Sequence, residues 1–159
     1  MDDARRPNTY NGLRLSGRYK IVVKDKDGKV QRTLEGKNLV TTAGEELAAR
    51  LLNPDTGTIG PDYIAFGEGT AGAQKSDTQL QTEIASSRVQ SVSTVTTNIL
   101  QLAWANLSWA AGSKTINECG IFNASVAGTM FARFLTTPLS IENGVILDIT
   151  WTLTVSGVD

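Results

Sequence analysis

The stretch Gly67-Glu68-Gly69-Thr70-Ala71-Gly72 has the G-x-G-x-x-G spacing of a dinucleotide-binding turn, and it follows a short apolar run, Tyr63-Ile64-Ala65-Phe66. In such a site the third glycine opens a long apolar helix whose N-terminus holds pyrophosphate beside a parallel sheet. Here the loop-like Ala73-Gln74-Lys75-Ser76-Asp77 follows instead, and Ala73 stands where a phosphate-cradling loop needs Lys. The motif reads as a plain glycine loop. Asp25-Lys26-Asp27-Gly28 opens like a calcium loop, but Gly36 occupies the twelfth position, where the closing bidentate Glu belongs. It reads as a hairpin turn.

Other candidates for chemistry are thinner. The chain has no histidine, which removes the commonest general base and the commonest metal ligand together. Its many Ser and Thr hydroxyls therefore have no imidazole to activate them. Two-carboxylate catalysis would need a cleft bringing Glu83 and Glu118 together; the simpler reading makes both solvated surface acids. Cys119, flanked by Glu118 and Gly120, reads as a small buried hydrophobe. Asn106-Leu107-Ser108 and Asn123-Ala124-Ser125 are formal glycosylation sequons that carry little weight without a secretion signal. No catalytic, cofactor-binding or metal-binding residue is expected, and the chain is read as a non-enzyme.

These residues must be positioned by a body of 159 residues, which suits one domain. With 40% hydrophobic and 19% charged residues it is too apolar for disorder, and no apolar run reaches the ~20 residues of a spanning helix. No membrane association is expected. The opening Met-Asp-Asp-Ala-Arg-Arg-Pro has no apolar stretch of a secretory signal, and a single cysteine fits a reducing compartment. Net charge is −1, yet residues 1–37 hold ten Lys and Arg against five Asp and Glu, whereas residues 38–159 hold five against eleven. A basic front on an acidic body predicts an edge that meets a negatively charged neighbour. The interleaved acids make this a poor footprint for nucleic acid, which is not expected as a partner.

Residues 1–17, with Pro7, Asn8, Asn11, Gly12 and Gly17, read as an extended basic arm. Residues 18–159 read as a β-sandwich. Its first feature is a hairpin over 19–35 around Asp27-Gly28. Thr42-Ala43-Gly44-Glu45 matches a capping box, and Leu47, Ala48, Leu51 and Leu52 continue at helical spacing, giving one short amphipathic helix over 42–52. Tyr63–Phe66 reads as a buried strand, and Leu80 with Ile84 suggests a short surface helix within 76–86. From Arg88 the pattern is all β: a Val89–Val95 run, Ile99–Trp109, Thr115–Phe122, Thr129–Leu135 and Val145–Val155. In the last, Ile146, Asp148, Thr150 and Thr152 oppose Leu147, Ile149, Trp151, Leu153 and Val155 across a one-sided strand. The close spacing of these strands favours a mainly β, antiparallel β-sandwich. Trp104 and Trp151 fall on apolar faces as core, while Trp109 at a strand end is a candidate interface anchor.

Three features taken in order resemble small bacteriophage virion structural proteins, variously called head-decoration, cement or tail-fibre-like proteins. They are Asn38-Leu39-Val40-Thr41-Thr42-Ala43-Gly44 entering a helix, Tyr63–Thr70 followed by Asp77–Glu83, and Glu118–Asn123 with Gly128–Arg133 ending in the Trp151 strand. The resemblance spans about residues 19–156 and lies in glycine and apolar patterns. It implies β-sandwich domains that assemble as symmetric oligomers, often trimers, and no catalytic residue. The expectation is a virion protein assembled in the bacterial cytoplasm. As capsid decoration or cement it would bind itself and the major capsid protein or another virion structural protein. Arg5, Arg6, Arg14, Arg18 and Lys20 would pair with shell carboxylates. A tail, baseplate or fibre-anchoring component is the alternative within the same particle. A carbohydrate-binding adsorption module, using Trp109, Tyr10 and Tyr63, is the alternative from another class.

Overall fold

The computed structural model describes residues 12–53, 57–108, 114–142 and 144–158. Two five-stranded antiparallel sheets pack face to face as a β-sandwich, with one ten-residue helix. The strands are β1 (Gly12–Lys24), β2 (Val30–Lys37), β3 (Leu39–Val40), β4 (Tyr63–Gly67), β5 (Val89–Gln90), β6 (Val92–Thr96), β7 (Ile99–Leu107), β8 (Lys114–Phe122), β9 (Met130–Ile141) and β10 (Ile146–Val158), with α1 (Thr42–Leu51) between β3 and β4. The first sheet runs β2-β1-β10-β7-β6 and the second β3-β9-β8-β4-β5. Between them lie the inward side chains that strand alternation selects: Ile21 and Val23 of β1, Leu147, Ile149, Trp151 and Leu153 of β10, and Ile64, Phe66, Cys119, Ile121 and Phe134 opposite. Tyr19 stacks on Phe134 at 3.6 Å, and Phe134 tilts against Trp151, whose indole N–H donates to Asn38 Oδ1 at 2.9 Å. Trp104 and Trp151 are core residues as expected.

Several expectations move. Residues 12–17, assigned to an arm, are the first half of β1 and pair from Gly12↔Val158 to Gly17↔Leu153. Their Leu13 and Leu15 continue the inward row, so the pairing strand at the far end of the chain recruits them. Residues 1–11 lie outside the described residues. The hairpin extends past 19–35, because Asp25 Oδ1 accepts from the N–H groups of Asp27 and Lys29 and closes the turn around Gly28 at φ 79°. The Val89–Val95 run is two strands in different sheets, the chain crossing between them at Ser91, whose N–H donates to Asp62 O.

The helix N-cap is Thr41, one residue before the expected Thr42. Its hydroxyl oxygen accepts from Gly44 N at 3.0 Å while donating to Met130 O at 2.7 Å. Burial of Thr41 against β9 selects it over its exposed neighbour, and Glu45, expected in a capping box, pairs instead with Lys75. Gly44 is needed there because a Cβ would collide with the Phe131 carbonyl.

The surface helix expected within 76–86 does not form. The segment is an irregular loop laid over the outer face of the second sheet, where Leu80 packs with Ala65, Phe122 and Met130. Its backbone donors are spent on a buried carboxylate rather than on helix. Gln81 N and Thr82 N donate to Glu118 at 3.1 and 2.8 Å, and Gly69 N donates to the same carboxylate at 3.1 Å. Arg133 Nε completes the set at 2.8 Å, with its other nitrogens on Asp77 Oδ2 at 2.6 Å and Ala71 O at 2.8 Å. Breaking such a pair from one side leaves a charge without its counter-ion in the interior, at a cost of about 3–5 kcal/mol. Arg133→Ala is therefore expected to lower the urea midpoint by that equivalent, whereas Arg32→Ala, which loses one exposed bond to Pro138 O, stays within about 1 kcal/mol of the parent.

Candidate functional site

The glycine motif that looked most like a ligand loop does hold an anion, and the anion is the protein's own. Glu118 is 0% exposed and sits on the outer face of β8 beneath the 68–83 loop. A Cβ at Gly67 would lie 2.5 Å from Glu118 Oε1, and one at Gly69 closer still. The glycines are thus required so that backbone can approach a carboxylate, which is the same reason phosphate loops use them. Glu118 is not the surface acid expected from sequence, and Glu83 is held apart from it in an ion pair with Arg88 at 2.8 Å. Arg88 in turn lies 3.8 Å over the Phe122 ring, closing the loop's far end. Every oxygen of Glu118 is committed to structure, so the arrangement offers no free acid or base.

Cys119 is buried on the core side of β8; burial first, and then the neighbouring Glu118 charge, pushes its thiol well above the ordinary range. It remains a protonated, inert hydrophobe. Among the described residues, no group of three or more His, Cys, Asp or Glu side chains could hold a metal ion, and no helix is long and apolar enough to cross a membrane.

The open surface of the sandwich is the outer face of the first sheet. Strand alternation puts Arg14, Ser16, Arg18, Lys20, Val22 and Lys24 of β1 on it. Register then fixes their neighbours. Arg18 lies between Lys37 of β2 and Thr152 of β10, and Lys20 between Glu35 and Thr150; Arg14 lies beside Ser156. Three of the sequence-predicted residues, Arg14, Arg18 and Lys20, therefore converge on one exposed face, joined by Lys37, which sequence reading passed over. Its signal was available only through register: the pair next to the turn, Lys24↔Val30, would set Gly36 opposite Arg18, and the shift between Val23 and Lys24 moves Lys37 there instead.

The charges on this face are unevenly neutralised. Lys24 is paired with Asp148, and Lys20 makes an exposed 3.5 Å contact with Glu35. Among the described residues Arg14, Arg18 and Lys37 have no ion-pair partner. They border shallow depressions: one of about 370 Å³ lined by Arg18, Lys20, Glu35, Gln101, Thr150 and Thr152, and one of about 260 Å³ lined by Arg14, Ser16, Arg18, Lys37 and Ser156. Guanidinium forks beside hydroxyls suit carboxylates presented by a flat partner surface. Arg5, Arg6, Tyr10 and Trp109 lie outside the described residues, and Tyr63 is half-buried on the outer face of the second sheet, packed on the Leu80 cluster.

Comparison of the chain with protein-family models, with curated proteins and with solved structures gives no match.

Asp148 supplies a pH handle on this face. Burial opposes its charge, but the Asn106 N–H at 2.9 Å and the Lys24 ammonium outweigh that, and its carboxyl is held below the usual value. A depressed folded-state value contributes stability above the unfolded carboxyl range and loses it as pH falls through the folded one. Asp148→Asn is expected to lower the thermal midpoint at neutral pH and to narrow its gap from the parent as both are acidified toward pH ~2–3. A gap that stays constant with pH would mean that the loss is packing alone.

Proposed function

We propose that this chain is a non-enzymatic structural protein of a bacteriophage particle, a capsid decoration or cement protein that lies on an acidic shell surface through the cationic face of its first sheet. The observation that carries the binding mode is the trio Arg14, Arg18 and Lys37, exposed on one sheet face and without an ion-pair partner among the described residues, while the opposite face of the sandwich is covered by its own loop. The particle assignment rests on the resemblance of the Asn38–Gly44, Tyr63–Glu83 and Glu118–Arg133 segments to phage virion proteins. The sealed Glu118 and the inert Cys119 are in keeping with an assembly role. Partners in this reading are the major capsid protein and further copies of the chain.

Like charges set against each other across an interface cost several kcal/mol, and each 1.4 kcal/mol is about tenfold in affinity. Arg14→Glu with Arg18→Glu is therefore expected to weaken co-sedimentation with shells lacking this protein by about 100-fold or more, at unchanged thermal midpoint. Undiminished shell binding would reject the cationic face, and tight salt-sensitive binding to DNA in place of shells would reassign it to nucleic acid. Copy number in particles separates decoration from the tail: a few copies at the tail would replace cement with a baseplate or fibre-anchoring role. For the contribution of the N-terminal segment the cut belongs after residue 11. Removing residues 1–17 would also strip six registered pairs from β1, so a loss of incorporation would report on folding. Deletion of residues 1–11 is expected to leave the fold intact and to reduce incorporation; full incorporation would reject an anchoring role for that segment.

A further inference from the structure

The four edges of the two sheets are not alike. β2 ends the first sheet with Arg32, Glu35 and Lys37 along it, and charges of this kind block pairing with a stranger. β3 and β5, the edges of the second sheet, are two residues each, too short to template a strand. β6 is different. It is five residues long, Val92-Ser93-Thr94-Val95-Thr96, all exposed, with β7 on one side and, among the described residues, no strand on the other. No charged residue occurs from Val89 to Ser113. Val92 and Val95 are each 74% exposed, on opposite faces of the strand. An uncharged, β-branched, unprotected edge is what folded proteins avoid unless it is used.

We propose that β6 pairs with β6 of a second copy across a two-fold axis, joining the two first sheets into one continuous ten-stranded antiparallel sheet. The edge itself selects this occupant. A partner recognised by charge finds nothing to hold here, and a charged strand would bury its charges against Val92 or Val95. A second copy meets an identical uncharged row, and a two-fold makes that row antiparallel to itself, so each outward N–H faces a C=O of the mate. Centring the axis on Thr94 pairs all five residues: Val92 with Thr96, Ser93 with Val95, and Thr94 with its own equivalent. These are β-branched and hydroxyl pairs of the kind that stabilise antiparallel ladders. Any slip of register leaves residues unpaired. The short β5 beneath this edge leaves room for the approach, since Ser93 and Val95 face inward and are still exposed. The inference stands independently of the shell-binding face, which lies toward β1 and β2 on the same sheet.

Light scattering of the purified full chain tests it. The expected mass is twice 17.0 kDa, falling to 17.0 kDa in Val92→Lys and in Val95→Lys with the thermal midpoint unchanged. Thr94→Cys gives an independent reading: the native thiol, Cys119, is buried, so mild oxidation should link Thr94→Cys chains into covalent dimers and leave the parent unlinked. A monomer at high micromolar concentration overturns the inference. So does a trimer, because an edge that pairs with its own equivalent closes at two. A dimer that persists in both lysine variants, or Thr94→Cys chains that do not cross-link, overturns it as well. None of these results touches binding through Arg14 and Arg18, so failure here is distinguishable from failure of the shell-binding reading.

Discussion

The buried pairing of Glu118 with Arg133 is the constraint on which the shape of the molecule depends. A carboxylate with 0% exposure is costly to place in a protein interior unless its lone pairs are filled, and three loop amides and a guanidinium fill them. Meeting that demand dictates the 68–83 loop. Gly67 and Gly69 must lack side chains, Gln81 and Thr82 must point their N–H groups inward, and Leu80 between these arms is pressed onto Phe122 and Met130. Arg133 then reaches through to Asp77 and the Ala71 carbonyl and ties the loop's first half to its second. A segment with little regular structure becomes a fixed lid on one face of the sandwich.

With that side sealed, the surface left for partners is the other sheet, and its chemistry is graded across five strands. Basic residues concentrate toward β2 and β1, hydroxyls occupy β10, and the β7–β6 half carries no charge at all. The gradient follows from the order β2-β1-β10-β7-β6, which sets the basic N-terminal strands at one end of the sheet and the uncharged Val89–Ser113 stretch at the other. Two kinds of contact can thus coexist on one sheet: a salt-sensitive one through guanidinium groups and a backbone-mediated one along an edge. Neither needs a cleft, a metal or an activated nucleophile.

Much of this architecture was legible in the residues. The alternation in Ile146–Val155, the Asp-Gly turn and the spacing from Leu47 to Leu51 each describe a local, one-sided burial, and local burial is what periodicity reports. Glu118 escaped because its neighbourhood breaks that rule. Ile116 and Cys119 both face the core although they are three apart, since the β8–β9 register shifts between Ile116 and Glu118 and switches the parity of the strand. No alternation count can find a bulge whose cause is a carboxylate needing to face the lid. The same failure explains the missing helix at 76–86, where Leu80 and Ile84 are four apart but the N–H groups of Gln81 and Thr82 between them serve a distant anion and that of Ile84 serves the Phe66 carbonyl. Arg14, Arg18 and Lys20 were found by composition alone; that they share a face with Lys37 needed the pairing.

The lid is the part of this account that a single observation can decide. Native-state hydrogen exchange resolves the amides of Gly69, Gln81 and Thr82, which lie in irregular backbone and would exchange rapidly if they only faced water. Bound to a buried carboxylate, they should exchange as slowly as the β8 ladder itself, near the limit set by global unfolding. Exchange of these three amides at the rate of the exposed Lys75 and Ser76 amides would contradict the clamp and the sealed face derived from it.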